Sequence, residues 1–315
     1  MPRRRQPPIL FLAATTLLVV VCAIALGLLL GGDGDPDVTT TAVVAHAGAA
    51  VHDGHGSQPA AHALEPTPGA PRGDVVEGPA ARRLAVPILM YHVLGTPAAG
   101  ASLPELWVSK ARFAEQLAGL HEAGYEAVTL HAVLHAWEHG SPLPKHPVVL
   151  SFDDGYLSHA TVAAPAMRKY GWPGVVNVTT HNLGPDGLPR HLAQAMAKAG
   201  WEFDSHTLTH PDLREVSDAQ LKDELRGSRR EIRALTGTTP EFFCYPAGKY
   251  DEHVEAAVKA AGYAGATTVE PGIARRSDDP FQLPRVRITN ADTGSTLVAR
   301  LRSGAASAGN GPAGG

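Results

Sequence analysis

Between Leu84 and Arg302, short apolar runs alternate with segments in which apolar residues recur every three or four positions. The first pattern predicts strands covered on both faces, and the second predicts amphipathic helices. Candidate strands are Val86–Tyr91, Ala127–Leu130, Val148–Phe152, Val175–Val178, Trp201–Asp204, Phe242–Tyr245, Ala266–Val269 and Leu283–Ile288. Phe113, Leu117 and Leu120 carry helical spacing within Lys110–Ala123, and Ser217 with Gln220 predicts a capped helix running to about Leu235. This alternation marks βα units around a parallel sheet. It predicts an α/β fold, a distorted or incompletely closed TIM-like (β/α) barrel of about seven βα units. An open doubly wound sheet is the alternative.

Both ends break the pattern. After a basic segment, 1–8, that contains Arg3, Arg4 and Arg5, an uninterrupted apolar run extends from Ile9 to Leu30. Such a run is long enough to cross a bilayer as a helix. The arginines predict a cytoplasmic N-terminus with everything after the span exported. Leu28-Leu29-Leu30 runs straight into Gly31-Gly32-Asp33 with no small-residue cleavage site, so an uncleaved single-pass anchor at 9–30 is expected. Secretion after signal cleavage is the alternative. Residues 31–83 are rich in Ala, Gly, Pro and His and poor in large apolar groups, which predicts a flexible linker. Its histidines, His46, His52, His55 and His62, are irregularly spaced and fit solvated linker better than a metal tract. Residues 303–315 read as a disordered tail, leaving 84–302 as the folded domain.

A net charge of −4, with no basic patch beyond the flank of the apolar run, argues against a nucleic-acid partner. The two cysteines, Cys22 and Cys244, lie in different parts of the chain and predict no disulfide. No protein partner is predicted.

Four segments could carry chemistry, each just past a candidate strand, where parallel barrels build their sites. Ser151-Phe152-Asp153-Asp154-Gly155 ends a strand with adjacent carboxylates, and both can serve one site only because Gly155 breaks the strand. Alone, it would equally be a helix-capping turn. Ser205-His206-Thr207-Leu208-Thr209-His210 sets two histidines four apart, on one face if the segment makes a helical turn. With Asp154 they form a two-histidine, one-carboxylate set that leaves metal positions open. His92 follows Ile88-Leu89-Met90-Tyr91, and Tyr245-Pro246-Ala247 enters a loop able to aim backbone N–H groups at an oxyanion. His121, His131, His135, His139, His159 and His253 read as structural or surface residues without partners. Trp107, Tyr156 and Trp172 could line a sugar groove or pack in the core.

Taken together, these segments resemble the polysaccharide deacetylase (NodB-homology) family of carbohydrate esterases over nearly all of Leu84–Arg302. Met90-Tyr91-His92 is similar to the poly-N-acetylglucosamine deacetylase branch, in which the general-acid histidine comes early in the domain. The resemblance implies a metal-dependent hydrolase with Asp153 as base, Asp154, His206 and His210 as metal ligands, and His92 as acid. Zinc is the expected ion, with cobalt or nickel as alternatives. Where many members carry a base-orienting arginine, this chain has Cys244-Tyr245-Pro246-Ala247-Gly248, and Arg285 is the candidate replacement. The expected reaction is removal of N-acetyl groups from a cell-surface polysaccharide. The alternatives are an O-acetyl (xylan-type) esterase and a catalytically silent, membrane-displayed glycan-binding domain.

Overall fold

The computed structural model describes residues 73–97, 99–101 and 103–304. The expected anchor, most of the expected linker and residues 305–315 lie outside the described residues. Among the described residues no helix is long and apolar enough to cross a membrane.

Seven parallel strands form the barrel: β1 (Ile88–Tyr91), β2 (Pro147–Asp154), β3 (Val175–Val178), β4 (Glu202–Ser205), β5 (Phe242–Cys244), β6 (Gly265–Pro271) and β7 (Leu283–Arg287). Each pairs with the next, and β7 pairs with β1 through Val286↔Leu89, so the barrel closes. The β4–β5 seam is the thinnest, held in register at Phe243↔Ser205. The register also shifts between Thr267 and Pro271 of β6. The barrel is therefore distorted but not open.

The helices are α1 (Lys110–Glu122), α2 (Leu130–His139), α3 (Ala164–Arg168), α4 (Arg190–Lys198), α5 (Asp218–Thr236), α6 (Glu252–Ala260) and α7 (Gly294–Arg302). The expected cap forms, with Ser217 Oγ accepting from the Gln220 N–H, and Ser109 Oγ caps α1 by accepting from the Arg112 N–H. α1 buries Phe113, Leu117 and Leu120 on one face. There Phe113 meets Tyr91 and Phe152 at centroid separations of 5.3 and 6.0 Å, and Phe152 stacks on Tyr91 at 5.4 Å. Truncating a buried aromatic of this kind costs about 3–5 kcal/mol. Phe152 thus ties the strand that carries the candidate aspartates to its covering helix.

Two expectations are corrected. Ala127–Leu130 is not a barrel strand: only Glu126–Ala127 is extended, against the start of β2, and Thr129 caps α2 by accepting from the Ala132 N–H. The folded domain also starts before Leu84. Val75–Val76 pairs antiparallel with Leu143–Pro144, the Gly78 N–H donates to Gly140 O at 2.8 Å, and Ala81 is fully buried with Ala136 and Leu143. This segment is held by backbone pairing and one small apolar contact, so composition gives no sign of it.

Candidate active site

Strand alternation alone would send Asp153 and Asp154 to opposite faces. Asp153 is buried inside the mouth of the barrel at 2 % exposure. Asp154 is turned back to the same mouth because it and Gly155 take left-handed φ values of 75° and 88°. A side chain at Gly155 would stand 2.8 Å from Val178 Cγ2, so glycine is required there on two counts. Left-handed geometry at a non-glycine residue costs on the order of 1–3 kcal/mol. At Asp154 its peptide oxygen is held by Asn182 Nδ2 at 2.9 Å.

The expected helical turn at His206–His210 does not form. The segment after β4 is irregular, with Thr207 and His210 at φ 71° and 63°. Glu224 of α5 fixes it, accepting the Leu208 and Thr209 N–H groups at 2.8 and 3.0 Å and the Thr209 hydroxyl at 2.6 Å. Thr207 Oγ1 accepts the His210 N–H at 2.8 Å. His206 Nδ1 donates to Cys244 O at 2.7 Å, which leaves Nε2 with its lone pair facing the mouth. Burial and the adjacent His206 lower the His210 pKa, favouring the neutral imidazole that a ligand requires.

Asp154 Oδ1 lies 3.5 Å from His206 Nε2 and 3.7 Å from His210 Nε2. These distances are long for hydrogen bonds. Ligands of one tetrahedral ion at about 2.1 Å stand about 3.4 Å apart, so the three donor atoms suit a single small divalent ion.

Beside this set, Arg285 grips Asp153 with both ends of its guanidinium: Nη1 donates to Oδ1 and Nη2 meets Oδ2, each at 2.8 Å. Arg285 is itself buried and held by Thr268 O at 2.7 Å and by contacts to Ser151 Oγ and Cys244 Sγ at 3.3 Å. Asn177 Nδ2 donates to Asp153 Oδ1 at 2.7 Å. Burial pushes the Asp153 carboxyl up, but Arg285 and His92 overcome this and hold it far below the ordinary carboxylate range. The Arg285 bonds use one lone pair on each oxygen and Asn177 takes a second on Oδ1. Oδ2 is also reached by the Cys244 thiol at 3.8 Å, and it faces His92 Nε2, 3.8 Å away. Burial outweighs Asp153 and Asp154 and lowers the His92 pKa, so its imidazole is neutral at neutral pH.

Several groups have partners that the sequence does not announce. His159, fully buried under the mouth, bonds His92 O through Nε2 at 2.8 Å, and burial lowers its pKa to about 4. Ser158 Oγ accepts the Leu94 N–H at 3.1 Å, so the two residues grip the backbone on either side of Val93. Tyr156 faces Asp154, and burial together with that carboxylate raises its hydroxyl pKa. His131 and His253 pair with Glu241 and Asp218 rather than standing alone.

The Tyr245–Ala247 loop narrows to one donor. The Tyr245 N–H is taken by Thr267 O at 3.2 Å and Pro246 has no N–H, which leaves Ala247, at φ 52°.

Comparison with known proteins fits this geometry. The family model for polysaccharide deacetylase matches residues 140–266. Bacillus subtilis (strain 168) YxkH, named for the polysaccharide deacetylases, is 30% identical over 220 residues, 69% of this chain and 76% of its own length. The poly-beta-1,6-N-acetyl-D-glucosamine N-deacetylase of Staphylococcus aureus (strain MSSA476) is 23% identical over 198 residues, 58% of this chain and 68% of that protein. Among solved structures, the Streptococcus pyogenes deacetylase PplD in complex with acetate superposes with a TM-score of 0.64 at 27% identity, covering 69% of this chain and 98% of that one.

Proposed function

The chain belongs to the polysaccharide deacetylase family, and from that membership we propose a metal-dependent hydrolase that removes N-acetyl groups from an extracellular N-acetylglucosamine-containing polysaccharide, releasing acetate. The observation that carries the proposal is the convergence of Asp154 Oδ1, His206 Nε2 and His210 Nε2 beside the Arg285-clamped Asp153. The N-acetyl assignment draws support from the name of the Staphylococcus aureus relative. The exported location rests on the apolar run Ile9–Leu30 behind Arg3, Arg4 and Arg5.

Asp154, His206 and His210 would hold one divalent ion, zinc by the chemistry of two imidazoles and a carboxylate, with cobalt or nickel able to replace it. When bound, the ion supplies Lewis acidity at the acetyl carbonyl and a more acidic water. The remaining work falls to the chain. Asp153 Oδ2, the oxygen that faces His92 Nε2, accepts the proton of the attacking water. Because Arg285 keeps the conjugate acid of Asp153 strongly acidic, the proton does not stay there. The neutral His92, with Nε2 facing Oδ2, takes it and delivers it to the departing nitrogen. The Ala247 N–H is the loop donor left to face the developing oxyanion.

Acetate release from β-1,6-linked N-acetylglucosamine oligomers and from O-acetylated xylan, each with and without chelator, tests this reading. Chelator-sensitive release from the first supports it. Release from xylan alone would make the protein an O-acetyl esterase, and glycan binding without turnover would make it a lectin-like domain.

A further inference from the structure

α2 turns Leu130, Val133, Ala136 and Trp137 into the core. That rotation leaves His131, His135 and His139 on one exposed stripe, each one turn from the next. Their rings stand in file, with centroids 4.4 Å apart for His131 and His135 and 5.3 Å for His135 and His139. Neither packing nor helix propensity calls for this, since imidazoles are mediocre helix formers and repel one another at this spacing when protonated.

Carboxylates flank the stripe. Glu241 Oε2, from the segment just before β5, meets His131 Nδ1 at 2.7 Å, and Glu138 Oε2 lies 3.5 Å from His139 Nε2. A carboxylate acceptor draws a proton to His131 Nδ1, the arrangement found behind metal-binding histidines, in which Nε2 takes the ion. The backbone below is held as well, because Glu202 accepts the His131 N–H at 3.1 and 3.3 Å.

We infer that His131 and His135 form a second, surface site for a divalent late transition ion, with Glu241 as the outer carboxylate and water completing the coordination. Histidines four apart on a helix have the spacing that grips one ion. Two imidazoles without a thiolate suit zinc, nickel or copper, with copper bound tightest. His131 also borders the cavity reached from the starts of β4 and β5, so this site belongs to the end of the barrel opposite the candidate active site.

The test uses the full chain, stripped with chelator and titrated with Zn²⁺ by calorimetry. Bound ions are then counted after dialysis, and Cu²⁺ is followed by electron paramagnetic resonance. The double variant His131→Ala/His135→Ala is expected to hold one ion fewer than the wild type while its acetate release is unchanged. His135→Ala should remove one nitrogen from the Cu²⁺ spectrum, and Glu241→Gln should weaken this site by about tenfold. Equal ion counts in the wild type and the double variant would overturn the inference. Because the reading is a difference between two proteins, it holds whether or not the Asp154 set binds its own ion.

Discussion

Asp153 and Asp204 occupy one register row of the barrel, linked through Asn177 of β3, yet their carboxyls are driven in opposite directions. Both are almost wholly buried, at 2 % and 0 % exposure. Burial pushes both pKa values up. At Asp153 a guanidinium from β7 reverses the shift, whereas at Asp204 the neighbour is Glu202, a second carboxyl that adds to it. Asp204 and Glu202 line a cavity of about 260 Å³ at the opposite end, where burial raises the Glu202 carboxyl as well, and Phe242 N–H donates to Asp204 Oδ1 at 3.1 Å. The position in the sheet does not decide what a buried aspartate becomes. The cation does, and here it arrives from 132 positions away in the chain.

The most damaging way to break the contrast is Arg285→Met, which leaves Asp153 buried and unpaired, as Asp204 is. Loss of one partner of a buried pair costs about 3–5 kcal/mol. Urea denaturation should show that loss, and acetate release should fall by at least about a hundredfold as Asp153 loses its orientation and charge. Arg285→Lys should recover only part of either, because an ammonium cannot make both bonds. Full activity in Arg285→Met would remove Arg285 from the site.

His92 sharpens the comparison from the other side, since its Nε2 faces Asp153 Oδ2 at 3.8 Å. His92→Asn should lower turnover by about 10²–10⁴-fold. The pH profile gives a finer test. Burial lowers the His92 pKa, and the relay begins with the neutral imidazole, so kcat/KM should rise with pH through a value below 6.5 and be at its plateau by neutrality. A profile that instead falls through that region would mean that His92 must start protonated, and the relay would be wrong.

Glu224 is a third buried carboxylate, and its partners are two backbone N–H groups and a hydroxyl. It holds the segment from His206 to His210, so its loss should act on metal binding more than on the barrel. Glu224→Ala should weaken zinc binding by about tenfold or more, as loss of a supporting contact commonly does, with far-UV circular dichroism unchanged. Unaltered zinc affinity would show that the irregular segment keeps its shape without the helix beneath it.

The parts of this arrangement that the sequence reveals are the local ones. Apolar runs give the barrel strands to within one or two residues, and the Asp153-Asp154-Gly155 break shows in three letters why two adjacent carboxylates can share a mouth. His206 and His210 announce themselves by type, but their route to one another does not. It depends on left-handed backbone at Thr207 and His210, where no glycine signals it, and on Glu224, which reads as one more polar residue of an amphipathic helix. Arg285 can be named as a cation on a late strand, yet nothing near it in the chain says that it reaches Asp153. Val75–Val76 escapes notice because a two-residue backbone pairing leaves almost no compositional trace.

The smallest expected effect falls on Asp204 and concerns stability rather than chemistry. Its folded pKa is raised well above the unfolded value, so the fold holds a proton there that the unfolded chain gives up. A carboxyl of this kind contributes fully below the unfolded pKa, near 3.9, and its contribution is lost as the pH climbs toward the folded value. Asp204→Asn keeps the shape, cannot ionise and still accepts the Phe242 N–H. Its melting temperature relative to wild type should therefore be close at pH 4 and progressively higher as the pH rises. The comparison is read as the difference between Asp204→Asn and wild type at each pH. If that difference stayed flat across the range, Asp204 would be ionised in the fold, and a cation in the cavity would have to stand where Arg285 stands for Asp153.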